Sequence, residues 1–306
     1  MANPQPYRIK TITDYHRVTG LPKPEHPLIS VINVETIQHP PGGGVLSLMF
    51  DFYSISLKKG IYAKFKYGQQ AYDFDEGVMF FMSPGQVFGF EIDSAATRAP
   101  SGWMVLIHPD FLWNTPLAKK IKQYEYFSYS VNEALYLSDK EETMVTGIAQ
   151  YIEQEYHSNI DNFSQDIIIS QLEVLLNYSE RFYHRQFLTR KISNNKTLSQ
   201  LEDILTKYFE GGDLIDKGLP TVQYVADTLN VSANYLSRML TVLTGQSTQQ
   251  HIHDKLIEKA KEKLSTSDLS VSEIAYALGF EHSQSFSKLF KSKTSLSPLE
   301  FRNTFN

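Results

Sequence analysis

Two sets of short polar and charged side chains recur in the last third of the sequence. The first set is Asn234, Ser237 and Arg238, and the second is Ser283, Gln284, Ser285 and Lys288. Each set combines hydroxyls with one amide and one cation, which are the groups that can hydrogen-bond base edges in a major groove. Such chemistry requires each set to lie on the exposed face of an element that fits this groove.

Each set lies in a helix, turn and helix pattern. In the first copy, apolar residues recur at helical spacing over residues 222–229 and again over residues 236–243. In the second copy, the same spacing runs over residues 271–278 and 286–290. The first helices correspond at an offset of 49 positions and the second helices at 50, so the second turn is one residue longer.

Small and flexible residues occupy matching places in the two copies. Ala226 and Ala275 leave room on the first helix for the second helix to cross close by. Asn230 and Gly279 tolerate the left-handed conformation that ends a helix. These matches predict two helix-turn-helix hairpins.

The caps of the second helices are expected at Ser232 and Ser283. The alternative is that two helical hairpins merely pack together and present a solvated face. A tandem pair that matches position by position favours base reading.

An amphipathic helix is predicted between the copies, at about residues 248–264. Its apolar residues recur every four positions, at Ile252, Leu256, Ala260 and Leu264. At 1.5 Å per residue the helix spans about 25 Å, so it could hold two recognition helices about one DNA turn, near 34 Å, apart. One chain is therefore expected to read two successive major-groove segments.

Three runs in this region match a known pattern: residues 274–280 (IAYALGF), 283–291 (SQSFSKLFK) and 297–302 (SPLEFR). On these runs, residues of about 198–306 resemble the DNA-binding domain of the AraC/XylS family of bacterial transcription regulators. The resemblance implies base contacts from Asn234, Ser237, Arg238, Ser283, Gln284, Ser285 and Lys288. It also implies contacts to backbone phosphates from Lys291 and Lys293.

Composition limits the other functions open to the chain. The 306 residues carry a net charge of −5, which argues against a protein that coats nucleic acid without specificity. The absence of cysteine excludes disulfides, thiolate metal sites and cysteine catalysis. No apolar run approaches a membrane span and no signal peptide opens the sequence, so we expect a cytoplasmic protein without membrane partners.

The N-terminal half is expected to hold an arm and a sheet domain. Residues 1–27 contain five prolines, too many for a helix, and predict an extended arm or a disordered terminus. Residues 28–130 contain short strands separated by turn residues, which predict a sandwich or small barrel. Residues 77–88 (GVMFFMSPGQVF) resemble the strand and turn signature of cupins, which implies a cupin-like β-barrel sensor domain.

Metal-dependent catalysis is not expected in this domain. Phe88 stands where the resemblance would require the last metal-binding histidine, and His39 and His108 are isolated. His251 and His253 are expected to be surface residues of the helix between the hairpins. We predict no metal, no cofactor and no catalytic residue.

A small-molecule effector pocket is the better use of the barrel. Candidate lining residues are the aromatic Phe65, Tyr67, Phe81 and Trp103. Aromatic walls suit a sugar or an aromatic ligand. The alternative is that these residues form ordinary core.

Residues 131–192 are predicted to be helical, beginning with a capping start at Ser138. The second helix of this segment is apolar around much of its girth, which favours pairing in a homodimer over packing within one subunit. Residues 193–197 lie in a polar stretch expected to be the linker to the reading domain at 198–306. The fold class is thus α+β multidomain: a cupin-like β-barrel with dimerisation helices, then an all-α double helix-turn-helix domain.

The leading hypothesis is a ligand-responsive regulator that binds double-stranded DNA. The resemblance favours an activator and admits RNA polymerase as a further partner. Two alternatives stay open: a cupin-type enzyme with an accessory helical domain, and a regulator whose barrel binds nothing and serves only to dimerise.

Overall fold

The computed structural model describes residues 6–38, 44–59, 66–67, 70–71, 77–92, 101–130, 133–158, 161, 163–189, 191–211, 214 and 217–304. The chain divides into two compact units, residues 1–186 and 187–306. Sheets and helices build the first unit, whereas the described part of the second is helical. None of the described helices is both long enough and apolar enough to cross a membrane.

In the described residues of the first unit, ten strands form the sheets. They are β1 (Tyr7–Ile9), β2 (Ile29–Asn33), β3 (Gly44–Phe50), β4 (Tyr53–Lys59), β5 (Lys66–Tyr67), β6 (Gln70–Ala71), β7 (Val78–Met82), β8 (Val87–Ile92), β9 (Ser101–Ile107) and β10 (Leu135–Tyr136). A three-stranded sheet has the order β1-β3-β8, a five-stranded sheet has the order β10-β7-β4-β9-β2, and β5 pairs with β6. All pairs are antiparallel except β1 with β3.

The cupin-like closed barrel is not confirmed. Within the described ranges, neither of the larger sheets closes on itself. Short strands with frequent turns fit stacked sheets as well as barrels, so the sequence pattern could not separate the two. Two sheet edges are formed by short strands, because β1 pairs with the outer side of β3 and β10 pairs with the outer side of β7. A short edge strand leaves few backbone groups unpaired.

The N-terminal arm is part of the core rather than an extended leader. Residues Ile12–Val18 form helix α1, capped by Thr11, whose hydroxyl accepts a hydrogen bond from the Asp14 backbone N–H. Ile12 and Tyr15 are buried in the same cluster as Phe50. The prediction was wrong because the prolines cluster at positions 4–6 and 22–27, leaving a proline-free window in which a helix can form.

Up to residue 189, the described residues also form three further α-helices: α2 (Leu117–Lys120), α3 (Asp139–Tyr156) and α4 (Ser164–Thr189). The capping start of α3 is confirmed, because Ser138 and Glu141 form a reciprocal capping box. Most of the apolar girth of α4 is buried within the single chain, at Ile168, Ile169, Leu172, Leu175, Leu176 and Phe182. The large apolar side chains left exposed on the described part of α4 are Ile167, Val174 and Leu188, and Phe163 is exposed just before the helix.

Seven helices follow in the described part of the second unit. They are α5 (Lys191–Glu210), α6 (Val222–Leu229), α7 (Ala233–Thr244), α8 (Thr248–Thr266), α9 (Val271–Ala277), α10 (Ser283–Thr294) and α11 (Pro298–Arg302). The stretch expected to be a linker, residues 193–197, is helical within α5. It contains no glycine or proline to break a helix, and the buried Asn194 donates its side-chain amide to the Phe187 carbonyl.

Candidate nucleic-acid interface

The first hairpin consists of α6, a short turn and α7. Asn230 adopts the left-handed conformation with φ 56° and ψ 41°, and the backbone N–H of Val231 donates to the Ala226 carbonyl over 3.0 Å. Ala226 is fully buried, as its small side chain predicted. Ser232 caps α7 by accepting a hydrogen bond from the Tyr235 backbone N–H.

The second hairpin, α9 and α10, repeats this geometry. Gly279 has φ 81°, and the backbone N–H of Phe280 donates to the Ala275 carbonyl over 3.0 Å, as Val231 does to Ala226. Ala275 is also fully buried. The closing hydrogen bond of both turns is therefore the same, which confirms the positional match between the copies.

The start of α10 departs from the prediction. Ser283 is the first helical residue, and His282 occupies the N-cap position, where the described residues provide no side-chain capping bond. The additional turn residue explains the shift, because an offset of 50 places His282, not Ser283, opposite Ser232. Ser283 is half-buried in the first turn of α10.

The exposed faces of α7 and α10 carry most of the predicted base contacts. On α7, Asn234 is exposed and Arg238 is half-buried one turn later. On α10, Gln284, Ser285 and Lys288 are all exposed. Residues four positions apart lie on the same side of a helix, so each helix presents an amide and a cation together.

Ser237 lies in a different environment from its predicted partners. Its hydroxyl donates to Thr248 over 3.1 Å, and Thr248 is fully buried at the start of α8. The contact ties the middle of α7 to the following helix. Ser237 therefore has a structural partner within the chain.

The two predicted phosphate contacts also differ. Lys291 is exposed in the last turn of α10, and the described residues give it no ion pair. The ammonium of Lys293 lies 2.8 Å from the carboxylate of Asp254 on α8. Lys293 is thus partly neutralised by its own chain.

Helix α8 supports both hairpins, as the sequence predicted. Its buried residues include Ile252, Leu256, Ala260 and Leu264.

The two histidines on this helix are each hydrogen-bonded: His251 Nε2 lies 2.9 Å from the Thr244 hydroxyl, and His253 Nε2 lies 2.8 Å from the Gln249 amide. Partial burial lowers the pKa of both imidazoles. Among the described residues, no cluster suited to a metal ion is present here or elsewhere.

Sequence reasoning missed a contact of the second turn. A side-chain carbon added at Gly279 would lie 2.8 Å from the Leu214 carbonyl oxygen and 3.1 Å from Gly218. The segment before the first hairpin therefore packs directly on the turn of the second. This contact joins residues about 60 positions apart, and no local pattern indicates it.

A second missed feature extends the repeat beyond the hairpins. Ser247 forms a capping box with Gln250 at the start of α8, and Ser297 forms one with Glu300 at the start of α11. The serine and glutamine or glutamate spacing was readable in the sequence. The repeat thus includes the helix after each hairpin, offset by 50 positions.

Of the four candidate pocket residues, the structure describes the side chains of Phe81 and Trp103. Phe65 and the side chain of Tyr67 lie outside the described residues. Phe81 is buried, with its ring 4.6 Å from that of Tyr126. Trp103 is buried beside α3, donates to the Thr146 hydroxyl over 3.3 Å, and lines a cleft of about 310 Å³.

The hairpins match proteins of known class. A family of helix-turn-helix domains matches residues 225–304. An uncharacterized HTH-type transcriptional regulator of Pseudoalteromonas carrageenovora is 32% identical over 99 residues, which cover 32% of this chain and 57% of that protein. The HTH-type transcriptional activator RhaS of Enterobacter sp. strain 638 is 33% identical over 140 residues, 45% of each chain. The chain spans about half the length of the curated relatives it matches.

A solved structure is also similar to part of the chain. The C-terminal domain of AraT, a response regulator from Geobacillus stearothermophilus, is 32% identical; the match covers 35% of this chain and 84% of that one, with a TM-score of 0.31. Residues 225–304 therefore form a helix-turn-helix domain of the AraC type. The family match begins within α6 and ends just after α11, so it contains both second helices of the hairpins and the helix between them.

Proposed function

We propose that this chain is a sequence-specific DNA-binding transcription regulator that reads two successive major-groove segments with α7 and α10. The observation that carries the proposal is the duplicated hairpin. The turn-closing hydrogen bond and the buried alanine occur in both copies, and both second helices expose polar side chains. A helix that exposes an amide and a cation is suited to base edges in the major groove.

The length of α8 supports reading on one side of the duplex. At about 1.5 Å per residue its 19 residues span about 28 Å, which is close to one DNA turn of about 34 Å. A buried apolar stripe along α8 gives both hairpins a common support. Two half-sites about one turn apart are therefore the expected target.

The charge balance supports binding that depends on base contacts. From Thr221 to the end, nine Lys and Arg stand against eight Asp and Glu, a balance of about +1. Few phosphates can be neutralised by so small an excess, and nonspecific binding is mainly electrostatic. We expect weak nonspecific binding and a strong dependence on the direct contacts of α7 and α10.

The test is selection of bound duplexes from a random DNA library by the full-length protein at near-physiological salt. Two enriched motifs about one helical turn apart are expected. A single motif would limit base reading to one hairpin. No enrichment, either with the full chain or with candidate effectors added, would contradict the proposal.

We further propose that the first unit binds a small-molecule effector that carries an anionic group. Ser54, Ser56 and Lys58 alternate along β4 and therefore share one face of the sheet. Both serines are buried, and the Lys58 ammonium lies 5.8 Å from the centre of the Phe80 ring. Burial lowers the pKa of Lys58, so an anionic partner there would be favourable.

A thermal-shift screen can test this site with matched pairs of carboxylic acids and their amides. Stabilisation by an acid, absent for its amide and lost in Lys58→Met, is expected. Lys140→Met, which changes an exposed lysine of α3, is the control. Equal shifts for acid and amide, or an undiminished shift in Lys58→Met, would contradict the anionic site. If no compound raises the melting temperature, the result would favour a first unit that serves only to dimerise.

We infer that the regulator acts as a homodimer and as an activator. The exposed Ile167 and Val174 of α4, together with Phe163 just before it, support the first inference, because their spacing of four and seven positions places them on one side of the helix. The name of the RhaS relative, a transcriptional activator, supports the second. Sedimentation of the wild type and of Ile167→Glu tests the dimer, which the added charge should dissociate. A reporter gene placed behind the selected DNA site tests activation.

A further inference from the structure

The strongest remaining feature is a carboxylate that touches both hairpins. Asp254 lies on α8, and its two oxygens have different partners. Oδ2 accepts a hydrogen bond from the Gln246 side-chain amide over 2.8 Å, and Oδ1 accepts one from the Lys293 ammonium over 2.8 Å. Gln246 follows the end of α7, and Lys293 lies in the last turn of α10. One side chain therefore connects the C-terminal ends of both second helices.

This bridge does not follow the internal repeat. At the offset of 50, Gln246 corresponds to Leu296, and Lys293 corresponds to Leu243. Each hairpin thus contributes a polar group at a position where the other has leucine. Because the partners are not equivalent, the bridge can form only once, and only with one placement of α7 relative to α10.

From this geometry we propose that Asp254 is a positioning residue that fixes the spacing between the two DNA segments the chain can read. The proposal rests on the function proposed above. The bridge acts near the start of α8, whereas the contact of Gly279 with Leu214 and Gly218 restrains the turn of the second hairpin. Together they restrain the second hairpin at two separate places.

The bridge should affect geometry more than stability. The side chains of Asp254 and Lys293 are 43% and 28% exposed, and ion pairs with that much solvent contact contribute little to folding. Its loss should leave the protein folded while allowing α10 to change its position relative to α7. One base pair of added spacer rotates the second half-site by about 34° around the duplex, so a fixed placement penalises such a change.

The first experiment needs no DNA. The natural chain has no cysteine, so Thr241→Cys on α7 and Ser292→Cys on α10 can carry two spin labels without background. Pulsed electron paramagnetic resonance should give a narrow distribution of distances between the two spin labels in the doubly labelled protein. The distribution should be broader when Asp254→Asn is added to that protein. Glu258→Gln is the matched control, since the only ion pair of Glu258 among the described residues is with Lys255 on the same helix. An unchanged distribution in Asp254→Asn would overturn the proposal.

The second experiment measures affinity for selected duplexes whose spacer is changed by one base pair in each direction. Asp254→Asn should reduce the discrimination between the natural and shifted spacers by about tenfold, which corresponds to about 1.4 kcal/mol. The charge-reversed pair D254K/K293D should restore it. If Asp254→Asn and Glu258→Gln both strengthen binding equally at all spacers, Asp254 acts only through its charge and the proposal fails.

The two experiments separate this proposal from the proposed function. A narrow distribution that broadens in Asp254→Asn, together with no selected DNA motif, would support the bridge and contradict DNA reading. Selected motifs with a spacing preference that Asp254→Asn leaves unchanged would support DNA reading and overturn the bridge.

Discussion

The two hairpins share the contacts that fold them and differ in the side chains that close and present them. Both bury an alanine and close the turn with the same backbone hydrogen bond. The first hairpin ends its first helix with Asn230 and caps its second with Ser232, whereas the second hairpin uses Gly279 and His282 at those steps. The buried position of the first helix is therefore repeated by residue type, whereas the turn and cap positions are filled by different residue types. Substitutions matched between the copies test this division.

The largest contrast is expected at the left-handed turn residues. Gly279→Ala adds a carbon 2.8 Å from the Leu214 carbonyl oxygen in a conformation that alanine disfavours, so we expect a loss of about 2–4 kcal/mol of unfolding free energy. Asn230→Ala adds no atom and should lose only about 1 kcal/mol. Chemical denaturation of the full chain measures both. Equal losses would mean that the Gly279 contact with the preceding segment contributes nothing.

The next largest difference between the two hairpins is expected in the DNA half-site that each one reads. Arg238→Ala and Lys288→Ala should each weaken binding to the selected site by about 1–3 kcal/mol and relax preference at one base position, each in its own half-site. Lys140→Ala, which removes an exposed lysine of α3, is the charge-matched control and should change nothing. Titration of duplexes mutated in one half-site at a time measures the effect. Weakening that is equal on every sequence would leave Arg238 or Lys288 with a phosphate contact alone.

The helix caps should respond in opposite directions. Ser232→Ala removes the side chain that accepts the Tyr235 N–H and should destabilise the chain by about 1 kcal/mol. His282→Ser introduces a capping hydroxyl where the described residues have none and should stabilise it by about 0.5–1 kcal/mol. Thermal unfolding of the two variants measures both signs. If His282→Ser destabilises the chain, the imidazole of His282 makes a contact that stabilises the fold more than a capping hydroxyl would.

The sequence predicted the hairpins well because their requirements fall on single residue types. Only small side chains fit at Ala226 and Ala275, and few residues accept the backbone of Asn230 and Gly279. The same reasoning could not predict which way a hydroxyl group points. The helical pattern placed Ser237 on the exposed face, but its hydroxyl contacts the buried Thr248. Hydrophobic periodicity indicates on which side of a helix a residue lies. The side chain of a half-buried residue can still contact either the protein interior or the solvent.

The first unit was harder to predict because its organisation depends on pairing between distant strands. The spacing of short strands was readable, but the order β10-β7-β4-β9-β2 joins segments that no local pattern relates. Composition misled near the start of the first unit and near the start of the second. Proline count hid the helix of residues 12–18, and a polar stretch at 193–197 was interpreted as a linker although nothing in it breaks a helix.

The smallest contrast concerns two neighbouring lysines of α10. Lys291 has no ion pair among the described residues, whereas Lys293 is held by Asp254. A free lysine that contacts a phosphate releases a counterion, so Lys291→Ala should reduce the slope of log affinity against log salt by about 0.9. Lys293→Ala should reduce it much less, because that ammonium is already paired in the unbound protein. Affinity measured at four or more salt concentrations gives both slopes. If Lys293→Ala lowers the slope as much as Lys291→Ala, then Lys293 leaves Asp254 when DNA binds, and the bridge belongs to the unbound state alone.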